Sequence, residues 1–296
     1  MNVLESPSRR LFNVINYIIL TATGLLCLIP FVNLFAISFS DSGPVAAGKV
    51  VFWPVKFTLA SYKFAVTNGK FFPALLVSFE RILLGVGVNL LFMIMAAYPL
   101  SKPRDQFRAR NIFMVYFVIT MIIGGGLIPT YILVTRLKLL NSLWALVLPG
   151  ALPVWTMVIL MNFIRQMPQD IEEAAMIDGA GVFRRLVSVL LPLLKPALAT
   201  VSLFCAVGHW NDWFGGLIYM QSPTRYPLQT YLQTLLLSME EMMRIANVDF
   251  TQLIAMMNAR TGRAAQLFLG ALPMMILYPF LQKYFTKGLV IGSVKG

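Results

Sequence analysis

The sequence predicts an all-α integral membrane fold, a bundle of six transmembrane helices, on three observations. Hydrophobic residues fill 58% of the 296 positions and charged residues only 12%, against about 25% charged in a soluble domain. The apolar residues are gathered into blocks near the twenty or so that a helix needs to cross the hydrocarbon core of a bilayer. Those blocks are too long and too continuously apolar for barrel strands, which leaves helices as the spanning element.

The first block covers residues 14–35. Arg9-Arg10 ahead of it imitates the start of a signal peptide, but the run continues to Ala36. That exceeds the roughly 7–15 apolar residues of a signal core, so the block is kept as the first span. The others fall at 75–100, 112–133, 143–163, 190–206 and 267–285. Glu80 and Arg81, inside the second, are expected to form a local pair near its outer end, and Lys195 to snorkel at the inner end of the fifth. Helix breakers interrupt three spans: Gly124-Gly125-Gly126 and Pro129 in the third, Pro149-Gly150 and Pro153 in the fourth, Pro192 and Pro196 in the fifth. Such residues mark either a water-filled pathway or close helix packing.

Six spans put both termini on one side. Arg9, Arg10, Lys102, Arg104, Arg108, Arg110, Arg165, Arg184, Arg185, Lys283, Lys287 and Lys295 flank the spans on that side, which makes it cytoplasmic. The opposite face carries its basic residues more sparsely, over 41–72 and 208–266. The organisation expected is a cytoplasmic segment (1–13), a transmembrane domain (14–285) with a cytoplasmic loop (166–192) and an outer segment (208–266), and a cytoplasmic tail (286–296). Within the outer segment, 231–246 reads as an amphipathic helix. The net charge of +12 is scattered among loops and forms no basic stripe interleaved with aromatics, so no nucleic-acid partner is expected. Cys27 and Cys205 lack metal or disulfide spacing. His209 stands alone as a histidine, without the partners that catalysis or a metal requires.

The loop carries the most information. Met167-Pro168-Gln169-Asp170-Ile171-Glu172-Glu173 puts a proline at a helix start and acids in its first turn, beside the positive end of the dipole. Ala174-Ala175 continue the helix, and Gly179 falls where a left-handed stop is wanted. A second helix runs through Phe183-Arg184-Arg185 towards Pro192. Small Ala174, Ala175, Gly179 and Ala180 permit a close partner surface, while Glu173, Asp178, Arg184 and Arg185 supply orienting charge. This is the make-up of a docking element.

Glu173-Ala174-Ala175, three residues, Gly179, nine residues, then Val189-Leu190-Leu191-Pro192 resembles the EAA loop of permease subunits in binding-protein-dependent ABC importers. Val189 replaces the usual Ile and keeps its β-branched apolar character. The resemblance covers most of the chain. Trp210-Asn211-Asp212 resembles the Trp-Asn element of the carbohydrate group, and the ending through Gly292, Ser293 and Lys295 resembles its C-terminal signature. The run Ile122–Tyr131 is similar to the subfamily handling polysaccharide-derived oligosaccharides, such as alginate or pectin fragments. The resemblance implies the type I importer permease fold, with an extracytoplasmic solute-binding protein feeding two homologous permeases in the cell inner membrane. It also implies two ATP-binding cassette subunits, which hold ATP and Mg, with the EAA loop in their cleft; the short basic Gly/Ser/Lys tail on the same side is expected to reach them. No Walker A pattern occurs in this chain, so it does not itself bind ATP by that route.

Substrate-pathway candidates are Trp210, Asn211, Asp212 and Tyr131. Trp210, with Trp213, Tyr219, Trp53 and Tyr62, suits either sugar stacking or an interfacial belt. Asn211 and Asp212 suit either sugar hydroxyls or a turn cap. A secondary transporter or channel subunit for a small polar solute is the alternative from another class; it calls for an ion-coupling charge near the midplane, and none is clear.

Overall fold

The computed structural model describes residues 7–67, 69–244 and 260–276, all helix and loop apart from an isolated bridge between Ser40 and Phe57. Two compact units form, one from the chain up to Phe71 with Leu235–Leu272, the other from Phe72–Thr234 with the residues from Pro273 on.

In the first unit, α1 (Pro7–Ser38) carries Pro30 in its interior and buries only Ala36 and Ser38. Its 32 residues rise about 48 Å, more than enough to cross a bilayer, and its flanks are bare leucine, isoleucine and phenylalanine. Beyond it, α2 (Ser42–Ala46) and α3 (Ala60–Thr67) close a small core of Ala36, Val45 and Val50. Phe39 stacks on Phe57 with ring centroids 5.5 Å apart, and Ser38 Oγ lies 2.8 Å from the Tyr62 hydroxyl. Residues 260–276 are helical.

The second unit is the bundle. Its long helix, α4 (Phe71–Ser101), is unbroken. The span expected over 112–133 is broken: α5 (Arg110–Ile122) and α6 (Leu127–Arg136) meet at 108°. The cause is local, because Gly126 takes φ +80 at the N-terminus of α6, a conformation open to glycine and costly for other residues. Pro129 follows in the first turn, where its missing N–H goes unneeded. Next, α7 (Leu143–Val147) runs through a 3₁₀ turn at Leu148–Gly150, bends by 56° and continues as α8 (Val154–Arg165). The loop follows as α9 (Gln169–Ile177), α10 (Val182–Arg184), a π-helical turn (Arg185–Leu190) and α11 (Leu191–Leu193). The widened turn falls just before Pro192, which has no N–H to offer Ser188 and whose ring crowds that carbonyl. After an 82° bend, α12 (Lys195–Asn211) leads to α13 (Phe214–Tyr219), a 3₁₀ turn at Pro223–Arg225 and α14 (Leu228–Arg244).

Among the described residues, two unbroken helices are long and apolar enough to cross a membrane, or five spans if each bent pair counts as one. The sixth expected span, 267–285, runs beyond the described residues.

The bundle core lies between α4, α8 and α12. Met93, Ala97 and Leu100 meet Met157, Leu160, Met161 and Ile164, with Ala197, Val201 and Cys205 completing the cluster. Each set repeats at three or four residues, so one stripe of each helix is buried. The small Ala197–Val201–Cys205 row lets α12 approach closely, as membrane helices need when lipid is as apolar as their own side chains.

Candidate functional site

Two sites emerge, one at each end of the buried stripe of α4. At the Ser101 end lies the helix–turn–helix. Its turn closes by the Gly179 N–H donating to the Met176 carbonyl at 3.1 Å and the Ala180 N–H to that of Ala175 at 3.0 Å, the paired bonds of a Schellman stop. Gly179 takes φ +76, and a Cβ there would meet nothing within 4 Å. The demand for glycine therefore comes from the backbone.

Glu172 and Glu173 point apart. Tyr98 donates to Glu172 Oε1 at 2.7 Å, Lys102 donates to Oε2, and Arg185 Nη1 stands 4.0 Å from Oε1. Lys102 also lies over the Tyr98 ring, 4.4 Å from its centroid. Burial works to raise the Glu172 carboxyl; the hydrogen bonds from Lys102 and Tyr98, with the charges of Lys102 and Arg185, outweigh it and hold the carboxyl below its ordinary value. Glu173, Ala174, Asp178, Gly179 and Arg184 are exposed, Ala175 is half-buried, and Arg185 turns back to donate to Met176 Sδ at 3.0 Å. Ile177 is 87% and Phe183 77% exposed. The loop is thus pinned to the bundle by one carboxylate while a face of mixed charge and apolar bulk is left open.

The second site is a pocket of about 300 Å³ among α4, α7, α8, α12 and α13, walled mainly by apolar groups and carrying Arg81, Asn89, His209 and Asp212. Asn89, 2% exposed, donates to the carbonyls of Gly150 at 2.8 Å and Ala151 at 2.9 Å. These are carbonyls near the break between α7 and α8, and buried backbone groups of this kind demand partners. With its amide nitrogen so used, Asn89 presents Oδ1 to His209 Nε2 at 2.8 Å, so that nitrogen carries the proton. A Cβ at Gly85 would fall 2.6 Å from His209 ring carbons, so glycine makes the room. The expected Glu80–Arg81 pair does not form: Glu80 is exposed, and Arg81, 2% exposed, bonds the Asp212 carboxylate and, at 2.8 Å, the Asp212 carbonyl. Adjacent helical residues do not face one another.

Asp212 also accepts the Gly215 N–H at 2.9 Å, so it caps the turn after α12. Trp210 is buried, its ring centroid 5.9 Å from that of Phe79; Asn211 is exposed; Tyr131 stacks on Tyr219 at 6.3 Å. The pocket is thus lined by Asp212 but not by Trp210, Asn211 or Tyr131. Glu172, Arg81, Asn89 and His209 were not among the expected site residues. A signal existed: Arg81, Gly85, Asn89, Met93 and Ala97 recur every four residues, so the polar members had to share the face of the apolar ones.

No model of a protein family matches the chain. Among characterised relatives, protein LplC of Bacillus subtilis is 37% identical over 299 residues, spanning 99% of this chain and 97% of its own. The polygalacturonan/rhamnogalacturonan transport system permease protein YtcP of the same organism is 34% identical, over 97% of this chain and 99% of its own. A solved bacterial ABC transporter involved in the import of the acidic polysaccharide alginate contains a chain with TM-score 0.84 and 29% identity, covering 95% of this chain and 99% of that one. The chain is a permease subunit of the carbohydrate ABC importers. As a permease it is embedded in the membrane, and the open face of its helix–turn–helix and its pocket are the places to seek a partner and a path.

Proposed function

We propose that this permease, with a second homologous permease, forms the path by which oligosaccharides delivered by an extracytoplasmic solute-binding protein enter the cytoplasm. In this reading two ATP-binding cassette subunits, holding ATP and Mg, dock on the EAA loop, and a six-span bundle sits in the inner membrane with both termini cytoplasmic. The observation that carries it is the exposed face of α9 and α10. Glu173, Ala174, Asp178, Gly179 and Arg184 lie open beside Ile177 and Phe183, and an uncovered face of this make-up suits a protein groove. Glu172 supports the reading from behind, because a loop that transmits motion must be tied to the helices it moves. The gathering of Lys102, Arg110, Arg165 and Arg185 at this end supports its placement in the cytoplasm.

The relatives that handle polygalacturonan, rhamnogalacturonan and alginate support acidic, polysaccharide-derived oligosaccharides as substrate. The pocket, with Asp212 in its lining, is the segment of path this chain offers. Gly292, Ser293 and Lys295 lie outside the described residues; their contact with the ATPase subunits is part of the proposal.

The test is uptake by cells lacking the gene, complemented with the wild-type chain and given labelled oligogalacturonide, alginate oligomer or maltodextrin. Recovery with an acidic oligomer is expected. Recovery with maltodextrin alone would contradict the substrate class, and recovery with none would contradict the transport of these oligosaccharides.

A further inference from the structure

The recess where α4, α8 and α9 meet holds more positive charge than its carboxylates occupy. Lys102 and Arg185 share Glu172. Arg110 and Arg165 line the same space of about 330 Å³, yet among the described residues neither has a carboxylate within ion-pair range. Both guanidinium-bearing residues thus border one recess with Lys102 and Arg185. Arg165 donates to the Leu100 carbonyl at 3.0 Å, which keeps its guanidinium beside the end of α4. The Nε atoms of Arg110 and Arg185 are buried and, among the described residues, unpartnered. Like charges held together with donors unspent are relieved by an anion between them.

The surroundings identify the anion. Arg110 is the first residue of α5, and directly beyond it stand Ile112, Phe113, Val115 and Tyr116, exposed by 74, 47, 58 and 60%. No residue of α5 is buried. A cationic recess at the foot of a bare apolar helix matches an amphiphile with an anionic head and long tails. Basic pockets between membrane helices take such headgroups.

We propose that the recess formed by Arg110, Arg165 and Lys102 binds the phosphate of an anionic lipid whose acyl chains lie along α5. Met176 and Arg185 of the loop line the same recess, so a bound headgroup touches both the bundle and the loop; the exposed Glu173, which also borders it, repels the phosphate and favours its seat at Arg110 and Arg165.

The test uses the full-length chain with its co-expressed partners, in nanodiscs of equal parts phosphatidylglycerol and phosphatidylcholine, with retained lipid counted by native mass spectrometry. Wild type should retain phosphatidylglycerol preferentially. Arg110→Gln with Arg165→Gln should bind it about tenfold more weakly, Arg110→Lys should restore most of the binding, and Arg104→Gln on the exposed surface should change nothing. Equal retention of the two lipids, or undiminished retention by the double Gln variant, would overturn the proposal. Displacement of the lipid by inorganic phosphate would assign the site to a free anion instead. Preferential retention only after the partners are stripped would mean that an acidic surface of a partner fills the recess, which also overturns it.

Discussion

Glu172 and Glu173 are neighbours in the chain and opposites in role, because one residue step on a helix turns the side chain by about 100°. Glu172 bonds Tyr98 and Lys102 and stands beside Arg185; Glu173 is exposed. The carboxyl of Glu172 is held below its ordinary value, so the stability it contributes is present above the ordinary carboxylate range and is lost as pH falls through the depressed value. Glu172→Gln removes two charge-assisted contacts. Hydrogen exchange of the α9 amides should speed about tenfold at neutral pH, and wild type should approach the variant's rate only on acidification. Equal exchange at neutral pH would show that α9 is held by other contacts. In the pocket, Asn89→Leu keeps the bulk and strips partners from the Gly150 and Ala151 carbonyls and from His209. A loss of about 1–2 kcal/mol is expected, read as a lower melting temperature of the detergent-solubilised protein; an unchanged melt would mean that other groups satisfy the break.

At the scale of elements, the break between α5 and α6 turns on Gly126. Its φ of +80 disfavours any Cβ, so Gly126→Ala should cost on the order of 1 kcal/mol. The nearest atom to an added Cβ is Pro129 Cδ at 3.7 Å, so crowding adds nothing. A thermal shift equal to or above wild type would show that the bend does not depend on the left-handed residue. The elements themselves were legible in sequence. Among the described residues apolar blocks marked the long and the bent helices, Gly124–Gly126 and Pro149-Gly150 marked the breaks, and Pro168 with Gly179 marked both ends of α9. The angles at the breaks were not, because they depend on which buried group answers each freed carbonyl. Asn89, 61 residues before Gly150, answers there. The partner of Arg81 was hidden for the same reason: Asp212 lies 131 residues on, and a sequence window sees only Glu80.

At the scale of the whole molecule, the α4 helix joins the two sites. Arg81, Gly85 and Asn89 serve the pocket, Met93 and Ala97 the core, and Tyr98 and Lys102 the loop. In the proposed function, a push on α9 would reach the pocket through this one continuous helix. Sequence pattern gave the helix–turn–helix of the loop, whose residues Glu173, Ala174, Asp178, Gly179 and Arg184 are exposed; it missed the pinning by Glu172, which takes tertiary contact to define. The tail beyond residue 285 belongs to the same account: deleting 292–296 should lower transport more than membrane insertion, and unchanged uptake would remove it. The central claim, that the helix–turn–helix transmits ATP hydrolysis to the bundle, is tested most directly by ATPase activity of the reconstituted complex with loaded binding protein. Gly179→Asp and Glu173→Lys alter only the loop, so both should insert and assemble in the membrane yet lose most of the stimulation by loaded binding protein. Wild-type stimulation and uptake in both variants would contradict the claim.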